Sequence, residues 1–244
     1  TREVSNIVGD VQKELDVALD SALKSATRLK GWQKAAFRKA NDLHQTMGQL
    51  LPQIRSWLKT GKVARGKIVN LHMPQVGAIV RGKVGKAVEF GWRWGILRMG
   101  GGFLLGSASQ TMSEMNDSKF ALDAVKMQKR VLGKVPKRYA YDRGGYSHGN
   151  ARVLKKMGVD EIGLAPRGRG KWYVDGQERE NLIRERAQVE GSIGAIKSSR
   201  YGFNKPGARS VYMMKFCGQR ALVGFNLNKL VIKMAEREGS TVVG

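Results

Sequence analysis

The run Lys86-Ala-Val-Glu-Phe-Gly-Trp-Arg-Trp-Gly-Ile-Leu97 constrains the fold more than any other stretch. Val88, Phe90, Trp92, Trp94 and Ile96 occupy alternate positions, with Glu89 and Arg93 between them. Successive side chains of a strand point to opposite faces, so a period of two means a strand with one apolar face. The same alternation makes Trp92 and Trp94 core residues rather than exposed platforms for stacking on bases. Gly100-Gly-Gly102 supplies a turn, and Phe103 to Ser107 is expected to return as the second strand of a hairpin.

The pattern then changes to alternating helices and strands. Asp117 to Leu132 has the helical period, with Phe120, Ala121, Ala124, Val125 and Met127 apolar and Gly133 as the stop. Arg138 to Asp142 is a short strand running into the glycine turn Arg143-Gly-Gly145. Asn150 to Met157 is a helix closed by Gly158, and Glu161 to Ala165 is another strand. A helix from Glu178 to Ser199 and a long one from Ala208 to Glu236 complete the chain. Strands interleaved with helices predict a mixed sheet covered by helices, the α/β class.

Upstream, residues 1 to 66 have helical spacing. One helix carries Val4, Ile7, Val8, Val11, Leu15 and Leu19; a second runs from Lys30 to Leu51; Pro52 is expected to open a short third one through Leu58. His44 is expected at the surface. Gly61 to Gly66 is a basic, glycine-containing break, and Lys67–Leu71 and Gly77–Val80 read as short strands around a loop holding His72 and Pro74. The expected division is a helical segment over 1–66, an α/β core over 67–207, and a basic helix with tail over 208–244.

Charge narrows the class of partner. The 244 residues carry 44 Lys and Arg against 20 Asp and Glu, a formal net charge of +24. Such an excess calls for a polyanion, most often nucleic acid. From Gly191 to Ala235 there are basic residues and no acidic one. A single cysteine, Cys217, excludes an internal disulfide framework and a cysteine-based zinc site, and it suits a reducing cytoplasm. No run of apolar residues has the length of a membrane span, so no membrane partner is expected.

Two places carry chemistry. Asp142 stands at the C-terminal end of a strand, where ligands bind in open α/β sheets, before glycines that let a phosphate or metal approach the backbone. In Arg184-Glu-Arg-Ala-Gln-Val-Glu-Gly-Ser-Ile-Gly-Ala-Ile-Lys197, Val189, Ile193 and Ile196 form an apolar stripe, while Arg186, Glu190 and Lys197 share a second face. Alone, that spacing fits a solvated ion-paired helix. If the helix packs on the strand, Asp142 and Glu190 converge. Paired carboxylates hold Mg²⁺ (or Mn²⁺) through oxygen and leave positions for phosphate and water. Arg186 and Lys197 would then hold DNA phosphates. Arg143, Arg200 and the basic loop with Arg167, Arg169 and Lys171 are further candidates for DNA contact. No glycine loop is followed by Lys-Ser/Thr, which excludes a Walker-type nucleotide site.

Asp142-Arg-Gly-Gly-Tyr-Ser-His-Gly-Asn150 resembles the second-aspartate motif of bacterial insertion-sequence transposases of the DDE type. Arg186-Ala-Gln-Val-Glu190 with Lys197 is similar to that family's Arg-x3-Glu-x6-Lys pattern. Gly82-Lys83, Glu89-Phe-Gly91, Gly202-Phe-Asn204 and Asn226-Leu227 are also similar, so the resemblance spans about residues 67 to 230. It implies an RNase H-like fold whose three carboxylates bind Mg²⁺ and drive DNA strand cleavage and transfer, with Asp142 as the second carboxylate and Glu190 as the third. It also implies double-stranded DNA as partner, at transposon ends and target, with a homodimer and a bacterial, nucleoid-associated location as further expectations.

Two departures stand out. Ile183 occupies the place where the family pattern often has tyrosine, and no aspartate lies on a strand ahead of the hairpin. Asp10, Asp16, Asp20 and Asp42 are in helical contexts, and Asp117 and Asp123 come after the hairpin. Residues 1–66 look like a helical insertion, and the expectation is a chain whose first catalytic strand lies ahead of Thr1. Glu89 is the first substitute to consider for that carboxylate. Two other functions fit the charge or the site: a non-catalytic basic DNA-binding protein, and a nuclease that cleaves without joining.

Overall fold

The computed structural model describes residues 2–24, 29–83, 86–110, 116–166, 168 and 170–239. The chain divides into two compact units, Thr1–Gly91 and Trp92–Gly244.

In the first unit, helices α1 (Arg2–Lys24) and α2 (Gly31–Thr60) pack side by side. Their buried residues are Leu19 on α1 and Thr46, Met47 and Leu51 on α2. His44 is not a free surface residue: its Nε2 lies 2.5 Å from Asp16 Oδ1, which ties the helices together. The break expected at Pro52 is absent, and α2 runs through it. An interior proline costs about 3 kcal/mol. The helix nonetheless continues for two more turns, over which Ile54 and Leu58 are half-buried. Gly61 ends it in the left-handed region at φ 67°, its N–H donating to Trp57 O.

No strand forms over residues 67–71, contrary to expectation. Asn70 Oδ1 accepts from the N–H groups of His72 and Met73, and Gln53 Oε1 accepts from Ile68 N–H. Side-chain acceptors so placed bend the backbone into a turn instead of a ladder. The hairpin that does form pairs β1 (Gly77–Lys83) antiparallel with β2 (Lys86–Gly91).

The alternating run is not one strand. It breaks at Trp92 and Arg93, and β3 (Trp94–Arg98) belongs to the second unit. Trp92 turns inward and donates its indole N–H to Ser109 O at 2.8 Å, while Ser109 N–H donates to Arg93 O at 3.0 Å. This clasp starts a new ribbon, β3 paired antiparallel with β4 (Leu104–Ala108) around the Gly100–Gly102 turn. Trp92 is buried and Trp94 packs in the core, as alternation predicts.

Then follow α3 (Asp117–Leu132), β5 (Arg138–Tyr141), α4 (His148–Lys156), β6 (Glu161–Leu164), α5 (Gly176–Ile196) and α6 (Val211–Arg237). β5 and β6 pair in parallel. Among the described residues the strands form three two-stranded ribbons, so the single mixed sheet expected from the sequence is not joined. The two ribbons of the second unit nevertheless share helical cover. Leu97 of β3, Tyr139 of β5, and Ile162 and Leu164 of β6 meet Phe120, Ala124, Val125 and Met127 of α3 in one cluster. On the opposite side, Leu104, Trp94 and Ile96 pack with Ile196 of α5 and Ala221, Leu222 and Phe225 of α6.

Close packing against glycine fixes α6 on β3. A methyl group on Gly218 would overlap the Trp94 ring, whereas one on Gly224 would make an ordinary contact, 3.7 Å from Tyr201 Cδ1. Ala normally gains roughly 0.5–1 kcal/mol over Gly inside a helix. Gly224→Ala should therefore stabilise the chain by about that amount. Gly218→Ala should destabilise it by about 1–3 kcal/mol through overpacking. Urea melts of the two variants check the opposite signs.

Tyr139 is buried, and burial followed by the neighbouring Tyr141 raises its pKa well above the ordinary value of 10.0. A raised phenol pKa favours the folded chain below the unfolded pKa, and that contribution falls away as pH rises above it. Urea melts from about pH 8 to pH 11 should show stability declining past pH 10, with a shallower decline in Tyr139→Phe.

Candidate active site

Asp142 leaves the end of β5 as cap of the short 3-10 turn Arg143–Gly145, its Oδ1 accepting from Arg143 N–H at 2.6 Å. The turn is held from below by Asn150, a buried side chain on α4. Asn150 Nδ2 donates to Gly145 O at 2.8 Å and to Ser118 O at 2.9 Å. The far end of the Asp142–Asn150 motif is thus a buckle between the turn, α3 and α4. Ser147 caps α4 by accepting from Asn150 N–H.

Helix α5 supplies the opposing wall. It is pinned to β5 by Arg138 Nη2, which donates to Glu185 Oε1 at 2.5 Å, and to β6 by Leu182, against which Gly163 sits without room for a Cβ. This packing brings Arg186 Nη1 to 3.8 Å from Asp142 Oδ1. Glu190 lies one turn further on the same face, where i and i+4 Cβ atoms are about 6 Å apart. Asp142, Arg184, Arg186 and Glu190 all line one cavity of about 1300 Å³. The Asp142 and Arg186 side chains are 69% and 36% exposed, so the pair adds at most about 1 kcal/mol and separates easily.

Asp117 joins this cavity as well, although its position after the hairpin seemed to remove it from consideration. It opens α3 behind the cap Asn116, whose side chain accepts from Lys119 N–H. Its carboxylate packs on Gly144, so closely that a Cβ there would overlap it. Tyr141 registers the crowding: burial first, then Asp117, then Asp142 raise its pKa. The available signal was the Asn116-Asp117 cap, which puts a carboxylate at a helix start; what brings it beside Asp142 is tertiary packing.

The other expected residues scatter. Arg143 is exposed beside Asp142. Lys197 is the half-buried C-terminal cap of α5 and lies outside the cavity lining. Arg200 is exposed, and its Nη2 donates to Asn228 Oδ1 on α6 at 3.1 Å. Lys171 is exposed, and its carbonyl accepts from Tyr146 O–H. Arg167 and Arg169 lie outside the described residues. Glu89 belongs to the first unit, on β2.

Carboxylate oxygens are the donor chemistry Mg²⁺ or Mn²⁺ requires. Among the described residues, however, no three His, Cys, Asp or Glu side chains are grouped closely enough to hold an ion. No helix among them is long and apolar enough to cross a membrane. No protein-family model, characterised protein or solved structure matches the chain.

Asn150→Ala removes the donor shared by Gly145 O and Ser118 O and leaves the buried Gly145 carbonyl without it. A loss of about 1–3 kcal/mol in urea melts is expected. Faster amide exchange at Arg143–Gly145 than at α6 would show that the loss is centred on the Asp142 turn.

Proposed function

We propose that the second unit is the catalytic part of a DDE-type DNA transposase, an RNase H-like domain that cleaves and rejoins phosphodiesters with Mg²⁺ or Mn²⁺. The observation that carries this reading is the Asp142–Arg186 contact, which sets a strand-end carboxylate against the helix face bearing Glu190. The motif spacing and the charge of +24 support it.

In this reading Asp142 and Glu190 hold the ions, which when bound supply the charge that stabilises attacking and leaving oxygens. Arg186 exchanges its weak hold on Asp142 for a DNA phosphate, a bidentate partner of higher charge. Asp142 stays anchored meanwhile through the Arg143 N–H. Arg184 and Arg143 extend the cationic rim, and the acid-free stretch from Gly191 to Ala235 offers further phosphate contacts. Two carboxylates make a loose site, so the 244-residue chain alone is expected to turn over poorly.

A non-catalytic DNA-binding role is the second reading, favoured by the lack of a three-carboxylate cluster among the described residues. Mn²⁺ binding, followed by electron paramagnetic resonance, separates the two together with cleavage of labelled duplex DNA in Mn²⁺. Asp142→Asn and Glu190→Gln should each lower Mn²⁺ affinity by about tenfold or more and reduce cleavage in parallel, with DNA binding retained. Mn²⁺ binding identical in both variants and the parent would sink the catalytic reading.

A further inference from the structure

The glycine turn of the β3–β4 hairpin carries a group of cations that the proposed chemistry leaves unused. Gly101 and Gly102 stand in the left-handed region, at φ 77° and 87°. Two lysines of α6 cross this turn. A Cβ on Gly101 would lie 3.3 Å from Lys233 Cε, and one on Gly102 would lie 3.0 Å from Lys229 Cε. Glycine is therefore required twice over, for the backbone angle and for the passage of a lysine stem. From the same point at Gly102, Arg98 Nη2 is 3.5 Å away and Lys229 Nζ is 3.7 Å away. Arg98 closes β3 just before the turn. A guanidinium and an ammonium thus converge on one spot, with a second ammonium one turn further along α6.

The three side chains are held in place by the fold. Arg98, Lys229 and Lys233 are each half-buried. Lys229 and Lys233 are four residues apart, so α6 puts them on one face with Cβ atoms about 6 Å apart. Asn226, less than one helical turn before Lys229, ties the helix to the hairpin. Its side chain donates to Leu104 O and accepts from Leu104 N–H, both at 2.8 Å. Leu104 opens β4 two residues after Gly102. One anchor therefore sets the lysines and the glycine turn relative to each other.

This group lacks a counter-charge. Among the described residues, no carboxylate comes within ion-pairing distance of Arg98, Lys229 or Lys233. Helix α6 has no acidic residue from Val211 to Ala235, and Glu236, three residues beyond Lys233, is exposed. Arg98 Nε is buried with no hydrogen-bond partner. The guanidinium has lost water on that side without gaining an acceptor. Buried or partly buried charges are ordinarily paired, and here three of one sign are gathered instead. Gly100 and Gly101 are exposed, so the spot is open to an incoming anion.

We propose that Arg98, Lys229 and Lys233 form a phosphate-binding site over the Gly100–Gly102 turn. Charge-assisted bonds of about 2.8 Å to two different oxygens of one phosphate bridge cationic heads roughly 5–8 Å apart. The shared point at Gly102 puts Arg98 Nη2 and Lys229 Nζ within that span. Arg98 supplies a planar fork of donors and the lysines supply point charges, a combination suited to an anion with several oxygens. The ligand is a phosphate group, whether of a polynucleotide backbone or of a free phosphate ester. The site uses neither Asp142 nor a metal ion, so it stands apart from the catalytic reading.

The test uses the whole chain in EDTA, which keeps metal-dependent steps out. Arg98→Met, Lys229→Met and Lys233→Met remove each charge and keep an apolar stem. Lys126→Met is the control, since Lys126 is exposed and already paired with Asp123. Calorimetric titration with pyrophosphate probes a free phosphate, and fluorescence anisotropy of duplex DNA over a range of salt probes the backbone. Each of the three variants should weaken pyrophosphate binding by about fivefold or more, or lower the slope of log affinity against log salt for DNA by about one, and the control should do neither. A change in the DNA slope assigns the site to a polynucleotide backbone; a change with pyrophosphate alone assigns it to a free ester. Urea melts should show the three variants as stable as the parent or more so, because each relieves repulsion between like charges. Three results would overturn the assignment. One is that neither probe distinguishes the three variants from Lys126→Met. Another is that acetate at equal ionic strength competes as well as pyrophosphate. The third is a loss of stability that matches the loss of affinity, which would make these side chains packing residues of the turn.

Discussion

The second unit depends on one helix face serving two ribbons at once. Phe120, Ala124, Val125 and Met127 of α3 touch Leu97 on one ribbon and Tyr139, Ile162 and Leu164 on the other. Hydrophobic contact does not require that the strands be paired; it requires only that their apolar faces lie in one layer. At roughly 1.5–3 kcal/mol for each large buried side chain, this cluster outweighs any single hydrogen bond in the unit. Gly95 lets it close, since a Cβ there would overlap the Phe120 ring. The hydrogen-bond ladders are local to each ribbon, and α3 makes the ribbons neighbours.

Helix α5 completes the arrangement from the other side, and the candidate site is a by-product of how it is anchored. Leu182 and Ile196 fix its two ends by burial, and the Arg138–Glu185 pair fixes its phase over β5. With those set, Arg186 comes to the end of β5, and Glu190, exposed one turn further along α5, borders the same cavity. Asp142 is fixed independently, through the Asn150 buckle beneath its turn. Two rigid supports, built from different contacts, therefore meet at the 3.8 Å approach of Arg186 to Asp142.

Much of this was legible in the sequence, and the failures have physical causes. The elements from Asp117 to Ile196 carry strong local signals, an Asn116 cap, Gly133 as stop and short alternating strands, and they form close to where those signals put them. Pro52 misled because its cost of about 3 kcal/mol is local, and α2 continues through it to Thr60 with Ile54 and Leu58 half-buried. Residues 67–71 misled because Asn70 competes for the backbone, a contest that strand propensity does not register. The run to Leu97 misled in part because alternation alone does not reveal a break: Trp92 and Trp94 enter the core of the second unit, whereas Val88 and Phe90 on β2 are exposed. Asp117 could not be placed from spacing at all: it reaches the Asp142 turn only because α3 packs on Gly144.

The charge arrangement at the site has a logic of its own. Asp117, Asp142 and Glu190 border a cavity that also holds Arg184 and Arg186, so no carboxylate there faces only its own kind. At 3.8 Å in a largely aqueous setting, the Asp142–Arg186 attraction is on the order of 1 kcal/mol. That is strong enough to orient Arg186 in the free chain and too weak to hold it against a doubly coordinated phosphate. A deeply buried pair would lock the site, because breaking it strands a charge at a cost of several kcal/mol. In the proposed function, exposure would keep that exchange reversible, with Asp142 still held by the Arg143 N–H. Under the proposed function, a backbone N–H that fixes the carboxylate and an exposed cation that balances it would let successive phosphodiesters come and go.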